Sequence, residues 1–79
     1  MRLDELPLRR PATIAAIDWA ALSAGEARRL REFGFDAGVS IETTHVGPFG
    51  RDPIACRVGR MTVALRRAMA VAIRVDTVG

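Results

Sequence analysis

The fold is decided by residues 39–65, which read VSIETTHVGPFGRDPIACRVGRMTVAL. Residues 39–46 begin with apolar and polar residues in alternation, a pattern typical of a half-buried strand. A loop dense in glycine and proline follows at residues 47–53. Residues 54–58 and 61–65 are two further apolar segments of strand length, joined by the tight connection Gly59-Arg60. The segment therefore predicts three consecutive antiparallel strands.

The residues before this segment predict a strand and then one helix. Residues 12–18 are mostly apolar and favour a strand, and residues 19–22 are a connector. Ser23 and Glu26 have the spacing of a capping box, in which each side chain accepts a hydrogen bond from the other residue's backbone N–H. An apolar residue at every third position then predicts an amphipathic helix of about ten residues, which Gly34 ends.

The residues after the central segment add a helical turn at 66–70 and a last strand at 71–75. Five short strands in so short a chain are typical of a small SH3-like antiparallel β-barrel, mainly β with one or two short helices. We expect the sheet to close on itself, the helix to plug one open side, and residues 1–79 to form a single domain. The expected core consists of Ile14, Leu30, Phe33, Phe35, Val39, Ile41, Ile54, Val58, Val63, Leu65 and Ile73.

Composition limits the function of such a domain. The 79 residues are 49% hydrophobic and carry a net charge of +3, as a globular protein does. The longest apolar run is six residues, too short to span a bilayer, and the first residues lack the apolar stretch of a secretory signal. We therefore expect a cytoplasmic protein. Acidic residues are interspersed with the arginines, and aromatic residues are few, so no nucleic-acid partner is expected.

No residue pattern typical of a catalytic site is present, so we expect neither enzyme activity nor a cofactor. If the 47–53 loop folds symmetrically, His45 and Cys56 face each other across the hairpin, and Glu42 or Asp52 could complete a metal site. The two alone are two ligands short of a structural zinc site. A lone cysteine in a strand is more commonly a small buried apolar residue. We therefore expect no metal site in a single chain.

Two aromatic residues outside the periodic pattern raise the question of partner binding. Phe49 stands among turn residues, so it either folds back over the mouth of the barrel or is presented to a partner. Pro48 and Pro53 stiffen its loop, which reduces the entropy lost on binding. Trp19, in the connector, either caps the core or anchors a partner. We expect the arginines of the helix to form a solvated face.

The order of these motifs resembles the FeoA family, the small cytosolic partners of the bacterial FeoB ferrous-iron permease. The shared stretches are LDELP at residues 3–7, RLREFGFDAG at 29–38, GPFGRDPI at 47–54 and VALRR at 63–67. The family loop usually runs Gly-Asp-Pro, and Arg51 is inserted here between Gly50 and Asp52. The resemblance covers nearly the whole chain and implies an SH3-like barrel.

The resemblance further implies a non-enzymatic accessory protein of FeoB-type ferrous iron uptake. Such a protein binds the cytoplasmic region of the permease, modulates transport or GTP hydrolysis, and meets the membrane only through the permease. Self-association into a homo-oligomer stays open, since so small a core gains stability from it. We expect the partner-binding residues in the loop and directly after the 61–65 strand: Pro48, Phe49, Gly50, Asp52, Pro53 and Arg66.

Two alternative functions stay open. The C-terminal domains of metal-dependent repressors of the DtxR type look similar, and this chain would serve as such a regulatory domain only in trans. The other alternative is a metal carrier that uses His45 and Cys56 across an oligomer interface.

Overall fold

The computed structural model describes residues 1–78 and shows one five-stranded antiparallel sheet in the order β4-β3-β2-β1-β5. The predicted mainly β, antiparallel fold is confirmed. The strands are Ala12–Ile17 (β1), Ser40–Val46 (β2), Ile54–Val58 (β3), Met61–Leu65 (β4) and Ile73–Thr77 (β5), the helices are Ala24–Glu32 (α1) and Arg67–Ala70 (α2), and single 3-10 turns lie at Leu3–Glu5 and Trp19–Ala21.

One hydrophobic core lies on the inner face of the sheet, where every second residue of a strand points. The predicted core residues are buried there except Phe33 and Val39, which are half-buried and pack against its margin. Both lie just outside a regular element, Phe33 at the end of α1 and Val39 directly before β2. The helix and sheet periodicity that predicted their burial therefore no longer applies.

Helix α1 begins with the predicted capping box. The Ser23 Oγ accepts from the Glu26 N–H at 3.1 Å, and the Glu26 Oε1 accepts from the Ser23 N–H at 2.8 Å. Leu30 is the residue of the apolar stripe that reaches the core completely, at 0% exposure. The helix ends before Gly34, whose φ of +83° is the left-handed conformation expected of a glycine stop.

The segment before β1 contributes to the core more than the sequence predicted. Its 3-10 turn (Leu3–Glu5), called the N-terminal turn below, packs against α2 and β5. Leu3 and Leu6 are 0% exposed, and Met69 of α2 is 5% exposed. No element was predicted for these residues from the sequence. Two leucines three positions apart place both side chains on one side of a single turn, which buries them together.

The last strand begins two residues later than predicted. The turn of α2 continues through Val71 and Ala72, whose N–H groups donate to the carbonyls of Arg67 and Met69, both at 3.1 Å. The valine and alanine at these positions favoured a strand by composition, but the hydrogen bonds of the helical turn determine the conformation of the backbone there. This turn connects β4 to β5, the two edges of the sheet, which do not pair with each other. The expected closure of the sheet by strand pairing is therefore wrong.

Candidate partner-binding site

The 47–53 loop is a narrow turn between β2 and β3. The Gly47 N–H closes its base by donating to the Pro53 carbonyl at 2.7 Å. A Cβ at position 47 would overlap the Asp52 carbonyl and lie 2.7 Å from the Pro53 ring, so only glycine fits. At the tip, Gly50 and Arg51 have φ values of +67° and +64°. For Arg51 this left-handed conformation costs roughly 1–2 kcal/mol, which the surrounding contacts must offset.

Phe49 does not fold back on the sheet. It is 83% exposed, the largest exposure among the large hydrophobic residues that the structure describes, whereas Phe35 in the core is 2% exposed. Burying a phenylalanine stabilises a fold or a complex by about 1.5–3 kcal/mol, and the isolated chain forgoes this contribution. Of the two alternatives for Phe49, exposure is the one that the structure shows.

Phe49 forms one wall of a shallow groove of about 410 Å³, which Asp52, Pro53 and Arg66 complete. Arg66 follows directly after β4 and is exposed. No carboxylate within residues 1–78 forms an ion pair with it. The structure thus brings an exposed aromatic ring and a free cation together. Pro48 and Gly50 lie in the same loop, exposed, and do not line the groove.

Arg67, the first residue of α2, holds the loop in place. Its backbone N–H donates to Asp52 Oδ1 at 3.1 Å, and its Nη1 donates to the Gly50 carbonyl at 3.0 Å. Its Nε lies 3.7 Å from Asp4 Oδ2 in the N-terminal turn. One arginine therefore joins two points of the loop to a carboxylate that belongs to a different part of the chain.

The N-terminal turn supplies the other half of this support. The Asp4 side chain is 1% exposed, and Arg2 Nε lies 3.1 Å from its Oδ1. Arg51 Nη2 donates to the Leu6 carbonyl at 3.3 Å, so the inserted residue fastens the loop to the end of the turn. The backbone that carries Phe49 is preorganised, and a preorganised loop loses little conformational entropy when a partner binds.

These supporting residues were not identified from the sequence. Asp4 and Arg67 lie near opposite ends of the chain, and no local pattern connects them. Their positions inside the shared stretches LDELP and VALRR were the only indication of a role. Arg51 was noted as an insertion, but its contact with Leu6 depends on the tertiary fold.

The structure separates His45 from Cys56. The loop closes with Gly47 opposite Pro53, so the β2–β3 register pairs His45 with Ala55. Beyond it, a bulge at Thr44 shifts the pairing by one further residue and places Cys56 opposite Thr43. The expected facing of His45 and Cys56 was therefore wrong: Cys56 is 0% exposed in the core, and His45 is exposed. Burial raises the pKa of the Cys56 thiol to about 12, which disfavours the thiolate that a metal would need.

No group of three or more His, Cys, Asp or Glu side chains that could hold a metal ion occurs within residues 1–78. A metal site in one chain would need such a group, because two ligands leave most of a coordination shell to water. The pair of His45 and Cys56 across an oligomer interface stays a prediction.

Trp19 packs half-buried against the core, as a capping residue does. The guanidinium carbon of Arg31 lies 4.3 Å from the centroid of its ring, in a cation–π contact. The arginines of α1 are therefore not all a solvated face, since this one covers the tryptophan. Trp19 serves the fold, and Phe49 is the more accessible of the two aromatic candidates.

Comparison with known proteins agrees with this geometry. The FeoA domain model matches residues 1–77. The zinc-complexed FeoA of Stenotrophomonas maltophilia, described as a prokaryotic SH3 domain protein, is 38% identical to this chain with a TM-score of 0.79, covering 96% of this chain and 89% of that one. The predicted SH3-like class is thereby confirmed. A search of curated proteins gives no match.

Two further structures set limits on what the likeness conveys. The iron(II) transport protein A of Clostridium thermocellum is 35% identical with a TM-score of 0.86, and the match covers 99% of this chain but only 46% of that one. The IdeR protein of T. acidophilum is 21% identical with a TM-score of 0.81, covering 98% of this chain and 33% of that one, a likeness of fold alone.

No helix within residues 1–78 is long and apolar enough to cross a membrane.

Proposed function

This chain belongs to the FeoA domain family, and on that basis we propose that it is a cytoplasmic, non-enzymatic accessory protein of ferrous iron uptake. It binds the cytoplasmic region of a FeoB-like permease and modulates transport or GTP hydrolysis. Solved relatives described as an iron(II) transport protein and as FeoA support the link to iron transport.

The observation that supports this proposal most directly is the exposure of Phe49 on a loop that Asp4, Arg51 and Arg67 hold in place. An exposed aromatic side chain on a fixed backbone is the usual anchor of a protein interface, because it buries a large area at little entropic cost. Its burial in a pocket of the partner contributes about 1.5–3 kcal/mol.

Arg66 contributes orientation more than affinity. It lies exposed beside Phe49 in the same groove and has no ion-pair partner within residues 1–78. A carboxylate of the permease that pairs with it at the rim would add about 0.2–1 kcal/mol, which falls as salt rises. The aromatic anchor and the rim charge together fix how the partner lies on the loop.

Isothermal titration against the cytoplasmic region of the permease tests the proposal. The region is titrated alone, with GDP and with a GTP analogue, each with and without ferrous iron, and we expect binding that depends on the nucleotide. Phe49→Ala should weaken it roughly 10- to 150-fold, as the lost burial implies. Absence of binding in every state would overturn the proposal.

A matched control keeps this result interpretable. Val78 is a second exposed apolar residue, 59% exposed, and it lines a different cavity with Pro11 and Ala12. Val78→Ala should bind as the wild type does, and Phe49→Ala should keep the wild-type melting temperature. A melting temperature that falls in step with affinity would assign Phe49 a structural role instead.

A further inference from the structure

The outer edge of β4 carries backbone groups without partners. β4 is joined to β3 by the two-residue turn Gly59-Arg60, and Gly59 has a φ of +58°. In such a hairpin the residues of the closing pair, Val58 and Met61, exchange both backbone hydrogen bonds. Along the two strands, hydrogen-bonded pairs then alternate with pairs that exchange no hydrogen bond. The N–H and C=O groups of Thr62 and Ala64 therefore point away from β3.

Nothing else in the described chain covers these groups. β4 lies at one end of the strand order, and no turn or loop within residues 1–78 exchanges backbone hydrogen bonds with Thr62 or Ala64. Both residues are exposed. Two N–H donors and two C=O acceptors thus lie in one row, in the arrangement that an added strand requires.

The charge around this edge is segregated. Residues 54–74 contain five arginines and no acidic residue, whereas the rest of the chain contains seven arginines and nine acidic residues. Arg60 precedes β4 and Arg66 follows it, and neither forms an ion pair within residues 1–78. Arg57 lies opposite Glu42 in the β2–β3 register, so its charge is partly balanced. The free cations therefore lie at the two ends of the open edge.

This edge also leads directly into the groove described above. β4 ends at Leu65, and the next residue, Arg66, lines the groove together with Phe49 and Pro53. An extended segment lying on β4 would have one end beside the exposed phenylalanine ring. Backbone pairing and an apolar anchor would then act on the same ligand.

We propose that β4 accepts an extended, acidic segment of a partner protein as an additional strand. Its backbone bonds to Thr62 and Ala64, its carboxylates lie near Arg60 and Arg66, and an apolar side chain at one end packs beside Phe49. This proposal specifies how the partner of the proposed function binds. It rests on the proposed function for the source of the segment, which is the cytoplasmic region of the permease.

A second copy of this chain fits the edge less well. Two β4 strands can pair antiparallel through the outward backbone groups when Thr62 of one copy lies opposite Ala64 of the other, which places the two Val63 residues opposite each other. This pairing places Arg60 of one copy opposite Arg66 of the other, and like charges opposite each other on paired strands are destabilising. Arg60 and Arg66 thus disfavour pairing of β4 with a second copy of itself. They do not oppose pairing with an acidic strand.

Amide hydrogen exchange tests the proposal with a defined probe. The probe is a capped hexapeptide, Glu-Val-Glu-Val-Glu-Leu, and its control is Lys-Val-Lys-Val-Lys-Leu. We expect the acidic peptide to slow exchange at the amides of Thr62 and Ala64, with little change at Met61 and Val63. Unchanged exchange at 62 and 64, or equal slowing by the lysine peptide, would overturn the proposal. So would slowing that rises with protein concentration when no peptide is present, because a second copy would then be the occupant.

Two variants provide an independent measurement. Ala64→Pro removes one outward N–H that the β3 ladder does not use, a change that edge strands tolerate. It should weaken peptide binding at least about tenfold, whereas Ala64→Val, which keeps the N–H, should not. If Ala64→Pro fails to fold, the double variant Arg60→Glu with Arg66→Glu decides: wild-type affinity for the acidic peptide would overturn the proposal.

The same variants separate the two proposals. If Phe49→Ala loses permease binding and Ala64→Pro keeps it, the loop binds the permease and the strand proposal is wrong. If the wild type binds the acidic peptide but no state of the permease region, the edge accepts a strand and the proposed partner is wrong.

Discussion

The two edges of the sheet differ in how they end. At β5 the first residues of the chain cover the edge: the Met1 nitrogen donates to the Val75 carbonyl at 3.1 Å, and the Val75 N–H donates to the Met1 carbonyl at 2.7 Å. At β4 no described segment does so, and the neighbouring loop presents Phe49. The first edge is called the covered side below, and the second the open side.

The difference separates the side on which this chain buries its apolar residues from the side on which we propose that it binds a partner. On the covered side, Leu3, Leu6 and Asp4 are all nearly inaccessible to solvent. On the open side, an aromatic ring, free arginines and unpaired backbone groups remain exposed. Asp4 and Arg67 connect the two sides, so the stability of the covered side fixes the shape of the open one.

Leu6→Ala should have the largest effect, because it removes a side chain that is 0% exposed. We expect the free energy of unfolding to fall by about 2–5 kcal/mol, measured by urea denaturation. Leu8→Ala is the control, since Leu8 is 47% exposed and its truncation should change stability by less than about 0.5 kcal/mol. Equal effects would mean that the covered side does not carry the stability assigned to it.

Asp4→Asn should have an intermediate effect. It leaves Arg2 and Arg67 without the carboxylate between them, at a cost of about 1–3 kcal/mol. Amide exchange in the 47–53 loop should also become faster, because Arg67 loses an anchor. Glu5→Gln is the matched control: the Glu5 side chain accepts from the Arg2 N–H at 2.9 Å, and glutamine still accepts. Unchanged loop exchange in Asp4→Asn would show that the two sides are not coupled.

Near neutral pH the contribution of Cys56 to the pH dependence of stability should be the smallest effect, because the thiol is protonated in both the folded and the unfolded chain. Burial raises the pKa of its thiol from 9.0 to about 12, so the unfolded chain loses this proton more readily than the folded one. The corresponding stability is complete below pH 9 and declines as pH rises toward 12. At pH 8, alkylation by iodoacetamide should be slow and should accelerate with denaturant. Alkylation at the rate of a small-molecule thiol would place Cys56 outside the core.

The elements with local sequence patterns could be predicted. The capping box of Ser23 and Glu26 with Gly34 at the other end defined α1, and alternation with the Gly59 turn defined the hairpin of β3 and β4. The register of β2 on β3 could not be predicted, because it depends on which residues of the 47–53 loop close opposite each other and on the bulge at Thr44. Closure with Gly47 opposite Pro53 places His45 opposite Ala55, one residue away from Cys56, and the bulge places Cys56 opposite Thr43.

The candidate site was predicted only in part. Phe49 and Arg66 were chosen because of the loop's composition and the family resemblance, and the structure places them in one groove. Their support by Asp4 and Arg67 could not be foreseen, because a contact between distant parts of a chain leaves no periodic pattern. The open edge of β4 depended on strand order, which alternation within a strand does not specify.

The most direct test of the difference between the two sides is amide exchange of this protein with and without the cytoplasmic region of the permease bound. We expect slower exchange at residues 49–52 and at Thr62 and Ala64, and unchanged exchange at Val75 on the covered side. Slowing confined to α1 and the Trp19 turn, with the loop and β4 unchanged, would contradict it.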